Sequence, residues 1–298
     1  MPLTYVLITP ARNEAEFIER TIKSVIAQTV LPLKWVIVSD GSTDGTDDIV
    51  KKYGAGNHWI ELVRMPERSE RHFAGKVQAF NAGYDRVRNL NYDIIGNLDA
   101  DIDFEEDYIA FLLDKFAENP RLGVAGTPFR EESQQYDYRF SSIEHVSGAC
   151  QLFRSDCYEE IGGYVPLKRG GVDLAAVLTA RMRGWQTRTF TEKTCVHHKK
   201  TQHGGNSALK ATFRSGYHDY LMGSHVVWQI FRSVYQMSKR PLFIGGLALL
   251  SGYFWAVLTG AKRTVSEELT AFRGKEQMRR LKEFFTSRLL PGGLSHSA

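Results

Sequence analysis

From Tyr5 to Phe190 the chain alternates short apolar runs with stripes of helical period. Tyr5–Thr9, Trp35–Ser39, Ile60–Met65, Asp93–Leu98, Val124–Thr127, Cys150–Phe153 and Gln186–Phe190 read as buried strands bounded by turn residues. Between them, Ile18, Ile22, Val25 and Ile26 form one helical stripe, and Gly75–Val87 reads as a second helix. Ile109, Leu112, Leu113 and Phe116 line one face of a helix over Glu106–Ala117. Leu174, Val177, Leu178 and Met182 do the same for Val172–Arg183. Asn13 with Glu16 three residues on has the form of a capping box, which is expected to open the first helix. Strands alternating with helices predict an α/β fold with a mostly parallel central sheet and helices on both faces. The polar stretch HHKKTQHGGNS then closes this module, and an aromatic-rich helical pattern follows. The expected organisation is an α/β domain over 1–205 and a helical region over 206–298.

Composition changes this picture little, except at one place. The chain has 298 residues, 43% hydrophobic and 24% charged, so disorder and collagen-like structure are excluded. A net charge of +4 is too mild to argue for nucleic acid. Three cysteines, Cys150, Cys157 and Cys195, make neither a disulfide framework nor paired zinc knuckles and favour a reducing compartment. The opening residues lack a basic region and a long apolar core, so no secretory signal is expected. The exception is Pro241–Ala261, which carries no charge over 21 residues and is followed by eight Lys or Arg against four Glu.

Ligands of open α/β sheets gather at the carboxyl ends of the strands. Thr9-Pro10-Ala11, Asp40, Asp99 and Asp101 fall at such ends. Asp40-Gly41-Ser42 is also an ordinary turn composition. Asp99 and Asp101, two carboxylates at i and i+2 leaving a strand, project to one side and repel unless a cation sits between them. Oxygen ligands suit Mg²⁺ or Mn²⁺ with room for phosphates, although acids also suit the start of the next helix. Asp173, after Gly170-Gly171, is either a helix N-cap or a general base. His197-His198-Lys199-Lys200 is a candidate metal or diphosphate loop, or else a solvated basic turn.

Taken in order, VLITPARNEAEFIERTIKSVIAQ, VIVSDGSTDGT, GKVQAFNAG, NLDAD, GACQLFR, EEIGGY and GGVDLAAVLTARMRGW resemble family 2 glycosyltransferases of the GT-A fold. The resemblance covers about residues 3–200 and implies that 1–205 is a catalytic domain, with residues up to about 105 binding the nucleotide and 106–205 the acceptor. It implies that Asp40 holds the nucleotide base and that Thr9, Pro10, Ala11, Asn13 and Glu14 line the nucleotide pocket. It further implies that Asp99, with Ala100, contacts the ribose and that Lys76 contacts nucleotide or phosphate. Asp101 would bind the metal (Mn²⁺ or Mg²⁺) together with His197 or His198, and Lys199 would face the diphosphate. Asp173 would be the catalytic base of an inverting transfer. Two departures stand out. Val172 replaces the Glu of the family's usual Glu-Asp, and no Gln-x-x-Arg-Trp of processive synthases is present. The expected activity is therefore transfer of one sugar from a nucleotide-diphosphate sugar, most often a UDP-sugar, to a lipid-linked or glycan acceptor. A retaining transferase and a non-catalytic nucleotide-sugar scaffold are the alternatives. TPARNE lacks GxGxxG and no Gly-rich, Arg-containing loop follows the first strand, which disfavours a dehydrogenase or a nucleotidyltransferase.

Twenty-one uncharged residues are long enough to span a bilayer. Nucleotide sugars are cytosolic, however, and a single span would export a basic tail against the positive-inside tendency. An interfacial or re-entrant segment on the cytoplasmic face of the cell membrane is therefore expected. Leu269, Phe272, Met278, Leu281, Phe285 and Leu289, interleaved with basic residues, read as an amphipathic helix at anionic lipid. Tyr220, Val227, Trp228, Phe231, Val234 and Tyr235 form a second apolar stripe. The alternative for both is a layer packing on the catalytic domain or on a second subunit.

Overall fold

In a computed structural model, residues 3–67, 73–131, 142–198, 206–239 and 242–289 are described. The strands are β1 (Tyr5–Ala11), β2 (Lys34–Asp40), β3 (Ile60–Met65), β4 (Ile94–Leu98), β5 (Ile102–Asp103), β6 (Leu122–Gly126), β7 (Phe129–Arg130), β8 (Cys150–Arg154), β9 (Gln186–Thr189) and β10 (Cys195–His197). The helices are α1 (Ile18–Ile26), α2 (Thr46–Gly54), α3 (Phe73–Tyr84), α4 (Tyr108–Glu118), α5 (Ser155–Glu160), α6 (Val172–Met182), α7 (Asn206–Leu221), α8 (Val226–Met237), α9 (Ile244–Leu258) and α10 (Glu267–Leu289).

Seven strands form one sheet in the order β3-β2-β1-β4-β8-β6-β9. It is parallel except where β8 lies antiparallel between β4 and β6. The apolar runs are buried on both faces, as in Val6, Leu7 and Ile8 of β1, because helices cover each side. Three pieces too short to show in the pattern, β5, β10 and β7, make a second small sheet.

The capping box expected at Asn13 and Glu16 does not form. Helix α1 starts later, with Phe17 as N-cap and no side-chain cap. Asn13 takes a left-handed backbone (φ 55°) and holds the DGSTDGT turn instead. Its N–H donates to Ser42 Oγ (3.1 Å) and its Oδ1 accepts from the Thr43 N–H (2.9 Å).

The chain divides into two compact units, residues 1–201 and 202–298. The second is a helical layer that turns many large apolar side chains outward. Helix α8 buries Gln229 and Ser233 and exposes Val226, Val227, Ile230 and Val234. Helix α9 buries Gly245, Gly246, Leu249, Gly252, Tyr253 and Ala256 and exposes Leu247, Phe254, Trp255 and Leu258. The buried glycines permit backbone contact between helices. A Cβ on Gly252 would lie 1.9 Å from the Phe213 carbonyl oxygen, and one on Gly216 only 1.8 Å from that of Leu249. On α10, Leu269 and Leu281 are buried within the unit, so these two of its apolar residues are not available to lipid; Phe285 is exposed. Among the described residues no helix is long and apolar enough to cross a membrane.

Candidate active site

The site begins where β4 ends. Asn97 Nδ2 donates to the Gly148 carbonyl (2.7 Å) and the Asp99 N–H to that of Ala149 (2.8 Å), which ties the strand end to the loop before β8. Asp101 is followed at once by β5, whose Ile102 pairs with His197 of β10. The His198 N–H also donates to the Asp101 carbonyl (2.9 Å). The pairing of two-residue β5 with three-residue β10 thus brings His197 across the chain to stand with Nε2 3.4 Å from Asp101 Oδ2. Ligand atoms of Asp99, Asp101 and His197 lie within 4.8 Å of one another. His198 is held elsewhere. Its Nε2 is 2.8 Å from Asp103 Oδ2 and its ring stacks on Phe17.

From α3, Lys76 donates to Asp99. Desolvation in the pocket raises the Asp99 carboxyl above its ordinary value; Lys76 opposes this and the Asp101 charge adds to it. Desolvation would lower the Lys76 ammonium, but Asp99, with Asp173 and Asp101 behind it, holds it above its usual value. Lys76 therefore remains the cation of an acidic cluster.

Asp173 arrives from α6. The N-cap is Gly171, in the left-handed region (φ 83°), and no side chain caps the helix, so the Asp173 carboxylate is not consumed there. Gly148 makes room for it, since a Cβ on Gly148 would stand 3.0 Å from the Asp173 Cβ. A cavity of about 290 Å³ joins Lys76, Asp99, Glu131, Gly148, Asp173 and His197. Gln151 of β8 braces one wall, accepting from the Tyr164 hydroxyl (2.6 Å) and donating to the Val146 carbonyl (3.0 Å).

The remaining sequence candidates lie at the ends of β1, β2 and β4, outside this lining. Thr9 is fully buried and accepts from the Trp35 indole (2.9 Å), while Ala11 and Ala100 are buried as well. Pro10 and Glu14 flank the turn that Asn13 fastens, and the Glu14 N–H donates to Thr46 Oγ1 (2.9 Å). Asp40 is buried beside Arg12, 3.8 Å from its guanidinium. Lys199 lies outside the described residues. The sequence reading missed Glu131, Tyr164 and Gly148 as pocket residues. The last two sit inside motifs already quoted, EEIGGY and GACQLFR, whereas Glu131 stands in PFREES with nothing local to mark it.

The model of "Glycosyl transferase family 2" matches residues 6–170. Over 266 residues the chain is 23% identical to a poly-beta-1,6-N-acetyl-D-glucosamine synthase of Staphylococcus aureus, covering 83% of this chain and 61% of that one. A Staphylococcus epidermidis protein of the same name is 26% identical over 63% of this chain and 43% of its own. The chain thus spans less than two thirds of the length of these curated relatives. Among solved structures, a mannosyltransferase of Pyrobaculum calidifontis in complex with GDP-Man and Mn²⁺ superposes with a TM-score of 0.58 at 18% identity, over 98% of this chain and 82% of that one. S. aureus TarS 1–349 in complex with UDP-GlcNAc gives 0.55 at 14% identity, over 96% and 81%. These two likenesses are of fold: an α/β GT-A architecture.

Proposed function

The chain belongs to glycosyl transferase family 2 and is a glycosyltransferase; on that footing we propose that it moves one sugar from a nucleotide-diphosphate sugar to an acceptor hydroxyl with inversion. The observation that carries the reading is the uncapped Asp173 carboxylate, facing the same cavity as Asp99, Lys76 and His197. Asp173 takes the proton of the acceptor hydroxyl. The oxygen attacks the anomeric carbon from the side opposite the diphosphate, and the bond to the leaving oxygen breaks with its electron pair. Lys76 offers positive charge to the departing phosphates. Asp40 and the Thr9–Glu14 turn hold the nucleotide. Nucleotide-sugar complexes of the two structural neighbours support the donor class. Uridine, from the family resemblance, is the base to test first.

Asp99, Asp101 and His197 fit a divalent cation: two carboxylates and an imidazole converge, and the buried Nδ1 of His197 has no hydrogen-bond partner among the described residues. When bound there, Mn²⁺ or Mg²⁺ supplies charge neutralisation to the leaving diphosphate. His197, next to Asp101, is the better placed of the two histidines.

The outward apolar faces of α8 and α9 support a second half of this reading, in which the helical unit rests on the cytoplasmic face of the cell membrane. A helix of 15 residues, such as α9, extends about 22 Å and falls short of a hydrocarbon core of about 30 Å. Large apolar groups outside and small residues inside suit a lipid surface, which would present a lipid-linked acceptor. A second copy of the chain on the same helices is the competing occupant.

Asp173→Asn tests the chemistry. Turnover should fall by about 10²–10⁴, with donor affinity kept. Near-normal turnover rejects the assignment, and product with the donor's anomeric configuration would indicate retention. Chains of many sugars on each acceptor would favour a processive reading, to which the names of the curated relatives point.

A further inference from the structure

Glu131 is not marked by any motif, yet it stands on the far side of His197 from Asp101. Strands β7 and β10 run parallel with Cys195 opposite Phe129 and Val196 opposite Arg130, so the register continues to His197 beside Glu131. Glu131 Oε1 is 3.6 Å from His197 Nδ1, while His197 Nε2 points to Asp101. Both side chains are largely enclosed, 16% and 18% exposed, and the Phe129 ring lies against the imidazole at 5.5 Å. At 3.6 Å the pair is just beyond hydrogen-bond reach, and Nδ1 is buried without another partner among the described residues. An imidazole that ligates through one nitrogen is fixed by what the other nitrogen donates to, most often a carboxylate or a carbonyl.

We infer that Glu131 is the positioning residue of the metal site, accepting the Nδ1–H of His197 so that the Nε2 lone pair faces the cation. The inference rests on the metal-dependent reading of the same site and deepens it. Closing by about half an ångström makes the hydrogen bond, within the usual range of donor–acceptor distances. Glu131 does not touch the donor in this role. It selects the tautomer and the ring orientation.

Mn²⁺ binding to the purified full chain tests this, measured by the free-ion signal in electron paramagnetic resonance. Pulsed measurements read the ¹⁴N coupling of the bound histidine. Glu131→Ala should weaken Mn²⁺ binding by about 10–100-fold and reduce the nitrogen coupling. Glu131→Gln, whose carbonyl still accepts from Nδ1, should retain both. Three results would overturn the inference. Unchanged affinity and coupling in Glu131→Ala would mean that His197 needs no support. Equal loss in Glu131→Gln and Glu131→Ala would make Glu131 a ligand itself. No Mn²⁺ binding by the unmodified chain would remove the metal reading as well, and this outcome is separable because it appears before any substitution. Thermal unfolding of each variant tells misfolding from local loss, and Glu131→Gln keeps the test decisive if the alanine variant does not fold.

Discussion

The two units of the chain differ in how many large apolar residues they leave outside. In residues 1–201, apolar side chains fill both faces of a sheet and polar ones gather where strands end. In residues 202–298, Gln229, Ser233, Gln277 and Asp219 are buried, while fourteen large apolar side chains, from Leu209 to Phe285, are exposed among the described residues. The first unit exposes five by the same measure. Hydropathy therefore reports burial faithfully in the first unit and poorly in the second, where Leu249, Tyr253, Leu269 and Leu281 are buried but many more large apolar groups face outward. The difference separates a unit with few exposed apolar groups from one whose outer surface is rich in them.

Four experiments can break or sharpen that contrast. The largest effect belongs to the first unit: Asp173→Asn should lower turnover by about 10²–10⁴ and leave vesicle binding unchanged. The reciprocal change is Leu247→Glu with Trp255→Glu and Leu258→Glu. Binding to vesicles containing anionic lipid should fall by roughly tenfold or more for each large apolar group withdrawn from lipid. Donor affinity should not move, and persistence of vesicle binding would reject the lipid surface. Gly252→Leu comes next. It must push α9 from α7 at the Phe213 carbonyl, and should destabilise the helical unit by roughly 1–3 kcal/mol or more, read by calorimetry, without changing nucleotide binding.

The smallest effect concerns the thiols, all three of which belong to the first unit. Burial pushes Cys157 and Cys195 up to about 12 and Cys150 higher still. The folded chain therefore keeps protons that the unfolded chain releases. Stability from this source is complete below about pH 9 and is lost as pH rises toward 12. By pH 10 the loss is roughly 1 kcal/mol per thiol, and Cys195→Ala should flatten the slope measured by denaturant titration.

Much of the first unit was legible from periodicity, because long strands and amphipathic helices repeat within a window of a few residues. β1, β2, β3, α4 and α6 appear where their apolar patterns stand. The small sheet was not legible. Strands of two or three residues have no period, and their pairing joins distant positions, such as Ile102 with His197 and Phe129 with Cys195. For the same reason Asp99, Asp101 and Asp173 could be picked out in their motifs, whereas Glu131 could not. Nor could the choice between His197 and His198, which depends on register: one is aimed at Asp101 and the other is taken by Asp103. In the helical unit, the four glycines of the charge-free segment include Gly246 and Gly252, the points at which neighbouring helices touch. Composition alone does not distinguish a diluted span from a tight helix crossing.

The pairing of Ile102 with His197 has a consequence for the order of assembly. The β1–β2–β3 half can form from neighbouring segments, whereas the half that brings Asp99, Asp101 and His197 together closes only when β10 returns to β5. Loop closure over such a separation is slow relative to local pairing. In refolding from denaturant, competence to capture Mn²⁺ should emerge after protection of the β1 and β2 amides, which makes cation uptake a clock for the last step of folding.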